Sequence, residues 1–210
     1  MKRRSLILST GNPNKVEEIK NILRNLPIDV ISKDKIGFKG FEVEEDGNTL
    51  EENAIKKAQS LVGKVDGIIM ADDTGLFVDH LNGEPGINSA RYSGANATSE
   101  KNIIKLLNKL EDVPMEKRTA TFKTVIALIT EKGNIITVTG ECKGYIGFEL
   151  RGNSGFGYDP LFIVEGYNKT FAELGDIKNK ISHRAKALDK LKVEVMNILK
   201  DDVYENSSDK

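Results

Sequence analysis

The sequence predicts an α/β fold. Short apolar runs alternate with amphipathic stretches of helical period. The first such run passes through a glycine-containing polar loop straight into a helix. Near the middle, a run rich in β-branched residues turns back on itself through Gly133-Asn134. The chain is organised around Ala71-Asp72-Asp73-Thr74-Gly75, which follows the apolar run Gly67-Ile68-Ile69-Met70. Two adjacent carboxylates are therefore expected where a short buried strand stops. In α/β folds ligands bind beyond the carboxyl ends of the strands, and acids placed there can hold a divalent cation through oxygen. The same residues are ordinary turn formers, so the pentapeptide alone leaves both possibilities open.

In order, Leu6-Ile7-Leu8 reads as a central strand, followed by the loop Thr10-Gly11-Asn12-Pro13-Asn14-Lys15. A helix begins near Lys15, with Val16, Ile19, Leu23 and Leu26 on one face and Glu17, Glu18 and Lys20 off it. A strand, polar loop and helix in this order present backbone N–H groups and a helix N-terminus to an anion, with Lys15 as a point charge. The spacing matches neither a Walker A loop nor a dinucleotide fingerprint. Ile28 to Ile31 forms a second strand. Thr49-Leu50-Glu51-Glu52 is a capping-box pattern that starts a helix at Leu50, running to about Val62, with the acidic cluster Glu42 to Asp46 just ahead of it. Lys56 and Lys57 lie inside that helix.

Leu76 to Asp79 is a further strand-like run, and Ser99 to Leu110 a third helix. Thr119 to Thr130 and Ile135 to Gly140 form a β-hairpin, and Tyr145 to Leu150 can add a strand. The loop Gly152 to Pro160 combines glycines, Phe156, Tyr158 and Asp159 ahead of the strand Leu161 to Val164. Glycines let backbone approach a ligand, and an exposed ring can stack on a base. The last helix begins near Ser182, a good N-cap, and continues through Leu199. His183 and Arg184 fall in its first turn, with Lys178 and Lys180 just before it. Cations at a helix start oppose the dipole preference, which points to an anionic or carbonyl-bearing ligand there. Residues 201–210 read as a polar tail.

At 210 residues the chain is long enough to bury a core. With 39% apolar and 30% charged residues it is expected to be soluble and globular. A net charge of −1 gives no global attraction to nucleic acid or anionic membrane, so any anionic ligand is held by local charge. The single cysteine, Cys142, excludes an intrachain disulfide framework and fits a reducing compartment. No apolar run is long enough to span a bilayer, and the apolar part of the N-terminus is too short for a signal peptide. The expected location is cytoplasmic, with no nucleic acid or membrane partner.

Six segments together resemble the inosine triphosphate pyrophosphatase family, which hydrolyses deaminated purine nucleoside triphosphates. They are Ser9-Thr10-Gly11-Asn12 with Lys15; Glu44-Glu45-Asp46-Gly47 before Glu52-Asn53-Ala54; Ala71 to Leu76; Pro85 to Tyr92; Phe156-Gly157-Tyr158-Asp159-Pro160; and Ile181-Ser182-His183-Arg184. They occur in the family's order and span nearly the whole chain. The resemblance implies one α/β domain over residues 1–200, with a long bent mixed β-sheet flanked by helices and two lobes around a deep cleft. It implies a Mg²⁺-dependent conversion of ITP, dITP or XTP to the monophosphate and pyrophosphate, in a homodimer. Carried over by position, Thr10, Gly11, Asn12, Pro13, Asn14, Lys15 and Lys57 would hold the triphosphate. Glu44 would bind the metal, with Glu45 as the alternative. Asp73 would be both metal ligand and catalytic proton acceptor, and Thr74 would touch the substrate. Phe156, Gly157, Tyr158, Asp159, Lys178, His183 and Arg184 would enclose the base. A Nudix hydrolase is disfavoured, since its Gly-to-Arg-Glu helix signature does not appear. A non-catalytic nucleotide sensor is the rival from another class.

Overall fold

The computed structural model describes residues 3–208. β1 (Arg4–Leu8) leads through the polar loop into α1 (Pro13–Leu23), followed by β2 (Ile28–Ser32), α2 (Leu50–Gln59) and β3 (Ile68–Val78). Next come the two-residue β4 (Pro85–Gly86) and α3 (Ser99–Lys109). The hairpin β5 (Thr119–Ile129) and β6 (Ile135–Ile146) follows, then β7 (Phe162–Val164). The short helices α4 (Phe171–Leu174) and α5 (Lys178–Ile181) precede the long α6 (His183–Ser208). The expected tail from residue 201 therefore carries the helical backbone on to Ser208, while residues 209–210 lie outside the described residues. Among the described residues, no helix is long and apolar enough to cross a membrane.

The described strands form one seven-stranded mixed sheet in the order β2-β1-β3-β5-β6-β7, with β4 on the free edge of β3. β1 pairs parallel with β2 and β3, and the remaining pairs are antiparallel. The polar segment Asp72-Asp73-Thr74-Gly75 does not end a strand, contrary to expectation. The two expected runs are one eleven-residue strand. The reason is the neighbour: β5 pairs with β3 without interruption from Ile69↔Ile129 to Val78↔Ala120, so the backbone of the polar segment is fully laddered on that side. On the other side β1 stops pairing at Met70 and β4 begins at Leu76. The interval between them is an opening in the sheet edge, and both aspartates sit in it. The return strand is likewise longer than expected, because β6 continues as one strand through Tyr145-Ile146.

Side chains of β3 and β5 alternate between faces. Ile68, Met70, Ile126 and Leu128 pack with α1 and α6 through Ile19, Leu23, Leu188 and Val195. Ile69, Ala71, Val125 and Ala127 pack with α2 through Leu50, Ala54 and Ala58. Past the opening, Leu76, Val78 and Phe122 join a third cluster with α3 and the rings of Phe162 and Phe171. Burying each such large side chain contributes about 1.5–3 kcal/mol, so these faces set the layering. Two cores on one half of the sheet and one on the other leave the cleft between them. α6 lies close on β6 at Gly140, where a Cβ would sit 2.1 Å from His183 O and 2.5 Å from Ala187 N. Only glycine allows that approach.

Candidate active site

The cleft opens into a cavity of about 1040 Å³. Asp72 and Asp73 project from successive positions of β3 and therefore to opposite faces. Asp73 turns toward α2. Its Oδ1 is 2.7 Å from Lys57 Nζ, and its Oδ2 accepts from Asn53 Nδ2 at 3.4 Å. The same Lys57 ammonium is 3.0 Å from Glu45 Oε1. Burial pushes the Asp73 carboxyl above its ordinary range, and Lys57 only partly offsets this. Burial would depress Lys57, but Asp73 and Glu45 outweigh it and raise the ammonium above its usual value.

The chain from Phe41 to Asp46 is extended ahead of α2, turning Val43 and Glu45 inward and leaving Glu44 exposed. Glu45 lines the cavity and Glu44 does not. Glu45 thus shares the Lys57 ammonium with Asp73, while Glu44 lies exposed outside the lining. Two carboxylates converging on one ammonium suit a divalent cation: Mg²⁺ is commonly held by one or two carboxylates plus substrate phosphates and waters. Among the described residues, no group of three or more His, Cys, Asp or Glu side chains is arranged for a metal. Arg91 closes over this end, its Nη2 donating to Glu45 O at 2.9 Å.

Asp72 turns the other way and is buried. Its Oδ2 is 3.0 Å from both Lys15 Nζ and Arg184 Nη2. Burial opposes its ionisation, but Lys15, Arg184 and Lys57 together hold its carboxyl well below the usual range. The Thr74 hydroxyl donates to Asp72 at 3.2 Å and accepts from Arg184 Nη2 at 3.2 Å. Among the residues of the first loop, Thr10, Gly11, Asn12 and Lys15 line the cavity, whereas Pro13 and Asn14 are exposed outside it. α1 begins at Pro13 rather than Lys15, because Pro suits the first helical position. Asn12 is the N-cap, and its Oδ1 accepts from Asn14 N and Lys15 N. Two of the amides expected to meet an anion are therefore already satisfied, and the loop's cation is Lys15.

The far end of the cavity is built by the loop before β7 and the start of α6. Phe156, Gly157, Tyr158, Asp159, Lys178, His183 and Arg184 all line it. Lys178 Nζ lies 4.7 Å from the centroid of the Phe156 ring and 2.6 Å from Asp159 Oδ2. That oxygen also accepts from Phe156 N at 2.8 Å. The Tyr158 hydroxyl donates to Ser89 O at 2.9 Å, tying the loop to the segment ahead of α3. The His183 ring stacks on Phe122 at 4.6 Å, and its Nδ1 is buried with no hydrogen-bond partner among the described residues. Burial, with Arg184 and Lys178 nearby, pushes His183 well below its ordinary value, so the imidazole is neutral at pH 7. Ser182 Oγ caps α6 by accepting from Ala185 N at 3.1 Å, as the sequence predicts.

The Ham1 family profile matches residues 6–194. The chain belongs to the Ham1 family. It is 52% identical to the dITP/XTP pyrophosphatase of Thermoanaerobacter pseudethanolicus, over 93% of this chain and 98% of that one. The dITP/XTP pyrophosphatase of Bacillus subtilis is 49% identical, over 88% and 93% of the two chains. The Staphylococcus aureus Ham1 structure is similar with a TM-score of 0.81 at 38% identity, over 92% of this chain and 99% of that one. The Coxiella burnetii HAM1 structure gives 0.82 at 38%, over the same shares. Two residues that touch the site's charged groups were given no role from the sequence. Asn53 holds Asp73. Glu18 pairs with Lys178 and Arg184, and helical period placed it only as off the apolar face of α1.

Proposed function

We propose that this chain is a nucleoside-triphosphate pyrophosphatase converting deaminated purine triphosphates (ITP, dITP and XTP) to the monophosphate and pyrophosphate with Mg²⁺. The observation that carries this is one cavity with two chemically distinct ends. Asp73, Lys57 and Glu45 lie at one, and Phe156 with Lys178, His183 and Arg184 at the other. The relatives' names supply the substrate class.

The triphosphate would lie toward Lys15 and Lys57, whose ammonium groups offset its charge. Asp73 and Glu45 are the carboxylates that would hold the metal. When bound, the cation supplies charge neutralisation on the phosphates and a lowered pKa for nearby water. Asp73 orients the attacking water and accepts its proton. The upward pressure of burial on its carboxyl makes it a better base than a solvated aspartate. Thr74, anchored to Asp72, would contact the substrate from β3.

The base would stack on Phe156 and be read by donors. Of the five N–H groups of Arg184, those on Nε and Nη2 and one on Nη1 are engaged by Asp72, Thr74 and Glu18, which leaves one. Lys178 gives two of its three to Glu18 and Asp159. The remaining donors suit a 6-oxo acceptor and leave a 6-amino group facing other donors. Mismatches of this kind can separate analogues by about 10⁴ to 10⁵. Guanine shares the 6-oxo group, so rejecting GTP requires a separate response to its 2-amino group. On the family resemblance we also propose a homodimer acting in the cytoplasm, which sizing by light scattering and cell fractionation would test. The decisive experiment is steady-state kinetics on ITP, XTP, GTP and ATP with products identified, with an EDTA control. Pyrophosphate release from ITP that depends on Mg²⁺ is expected. Binding of ITP without turnover would establish the sensor instead.

A further inference from the structure

Glu18 lies outside the cavity lining, yet both its oxygens are committed to residues that form the base end. Oε1 is 2.6 Å from Lys178 Nζ, and Oε2 accepts from Arg184 Nη1. Arg184 is fully buried and Lys178 nearly so, and Glu18 itself is half-buried. Three cations, Lys15, Lys178 and Arg184, face three carboxylates, Glu18, Asp72 and Asp159, in this layer. The layer is therefore neutral overall, and Glu18 is the one member that bridges Lys178 to Arg184. It also sits one helical turn from Lys15 on α1.

We propose that Glu18 is a positioning residue for base selection: it aims Lys178 and Arg184 so that each keeps a single free N–H for the base, and it cancels charge that would otherwise attract any electron-rich ring. This rests on the assignment of Lys178 and Arg184 to the base. Without the Glu18 charge, Asp159 is the one carboxylate left on the Lys178 ammonium, which can then pivot about it away from the base edge. A 6-amino group then no longer faces a fixed donor. The uncompensated positive charge also favours xanthine, whose base loses a proton more readily than hypoxanthine.

The test compares the parent, Glu18→Gln, Glu18→Asp and Arg184→Lys, with kcat/KM measured for ITP, XTP and ATP. The ratio between substrates is the readout, because a fall in the active fraction of a less stable variant cancels in it. Glu18→Asp keeps the charge but is one methylene too short to reach both cations, so it separates aim from charge and guards against a Gln variant that fails to fold. In Glu18→Gln we expect the ATP:ITP ratio to rise about tenfold, as for loss of one oriented hydrogen bond, with XTP:ITP rising as well. In Glu18→Asp we expect a smaller rise in ATP:ITP and no change in XTP:ITP. Parent-like ratios in both variants would overturn the proposal, whatever their kcat and melting temperature. If the parent does not separate ITP from ATP, or Arg184→Lys leaves the ratio untouched, the base assignment itself has failed, and the proposal falls with it.

Discussion

Lys57→Met isolates the ammonium that joins Asp73 to Glu45. Met keeps the length and apolar stem of the side chain and removes the charge. The lysine lies 2.7 Å from Asp73 and 3.0 Å from Glu45, with side-chain exposures of 12% for Lys57, 8% for Asp73 and 29% for Glu45. Removing one partner of a buried pair costs about 3–5 kcal/mol, because a buried charge is left uncompensated. Glu45 retains some solvent, so the lower end applies, about 3 kcal/mol. For a chain of this size that corresponds to a fall in Tm of about 6–12 °C. Lys57 is raised above its ordinary value in the fold, so its contribution is fully present at pH 7 and is lost only as pH rises through that raised value. The assay is thermal unfolding of both proteins at pH 7, in EDTA and across a Mg²⁺ series. The variant should melt lower in EDTA and gain more from Mg²⁺ than its parent, since the cation can take the place between the two carboxylates. A variant that melts with its parent in EDTA, or gains no more from Mg²⁺, would refute the assignment of this carboxylate pair to the metal.

Asp73→Asn preserves the shape of the side chain and removes the proton acceptor. kcat on ITP should fall by about 10² to 10⁴ while nucleotide affinity, measured by calorimetry, stays close to the parent's. An unchanged kcat would remove Asp73 from that role. Gly140→Ala places a methyl 2.1 Å from His183 O, so the start of α6 must shift. Overpacking of this kind costs about 1–3 kcal/mol, and KM for ITP should rise with the fall in Tm. Glu18 is held below its ordinary value because Arg184 and Lys178 outweigh its burial, so its stabilising effect is present above the unfolded carboxylate range and is lost as pH falls through the lowered value. The Tm gap between the parent and Glu18→Gln should be full at pH 7 and close on acidification below about pH 4.

Much of this architecture was legible in the chain. The first strand, polar loop and helix, the hairpin after Thr119 and the Ser182 cap follow from local period and turn chemistry, which act over a few residues. The continuity of β3 was not legible, because Asp-Asp-Thr-Gly has the composition of a turn. Only the distant ladder to β5 and the cations of α1, α2 and α6 make it a strand. The choice between Glu44 and Glu45 depends on which way an extended segment faces, and neighbouring identical side chains carry no record of that. Glu18 was passed over for a related reason. Helical period separates an apolar face from a polar one, but it does not tell a polar face in water from one pressed against buried guanidinium and ammonium groups from the other end of the chain.

The back-to-back arrangement of Asp72 and Asp73 couples the strand's registration to the reaction. Slipping the ribbon by one residue would turn every side chain to the other face, carrying the anchoring acid to the channel side and the reactive one to the side lined by cations. Correct zipping of this strand against its long neighbour is thus as much a condition for turnover as either carboxylate.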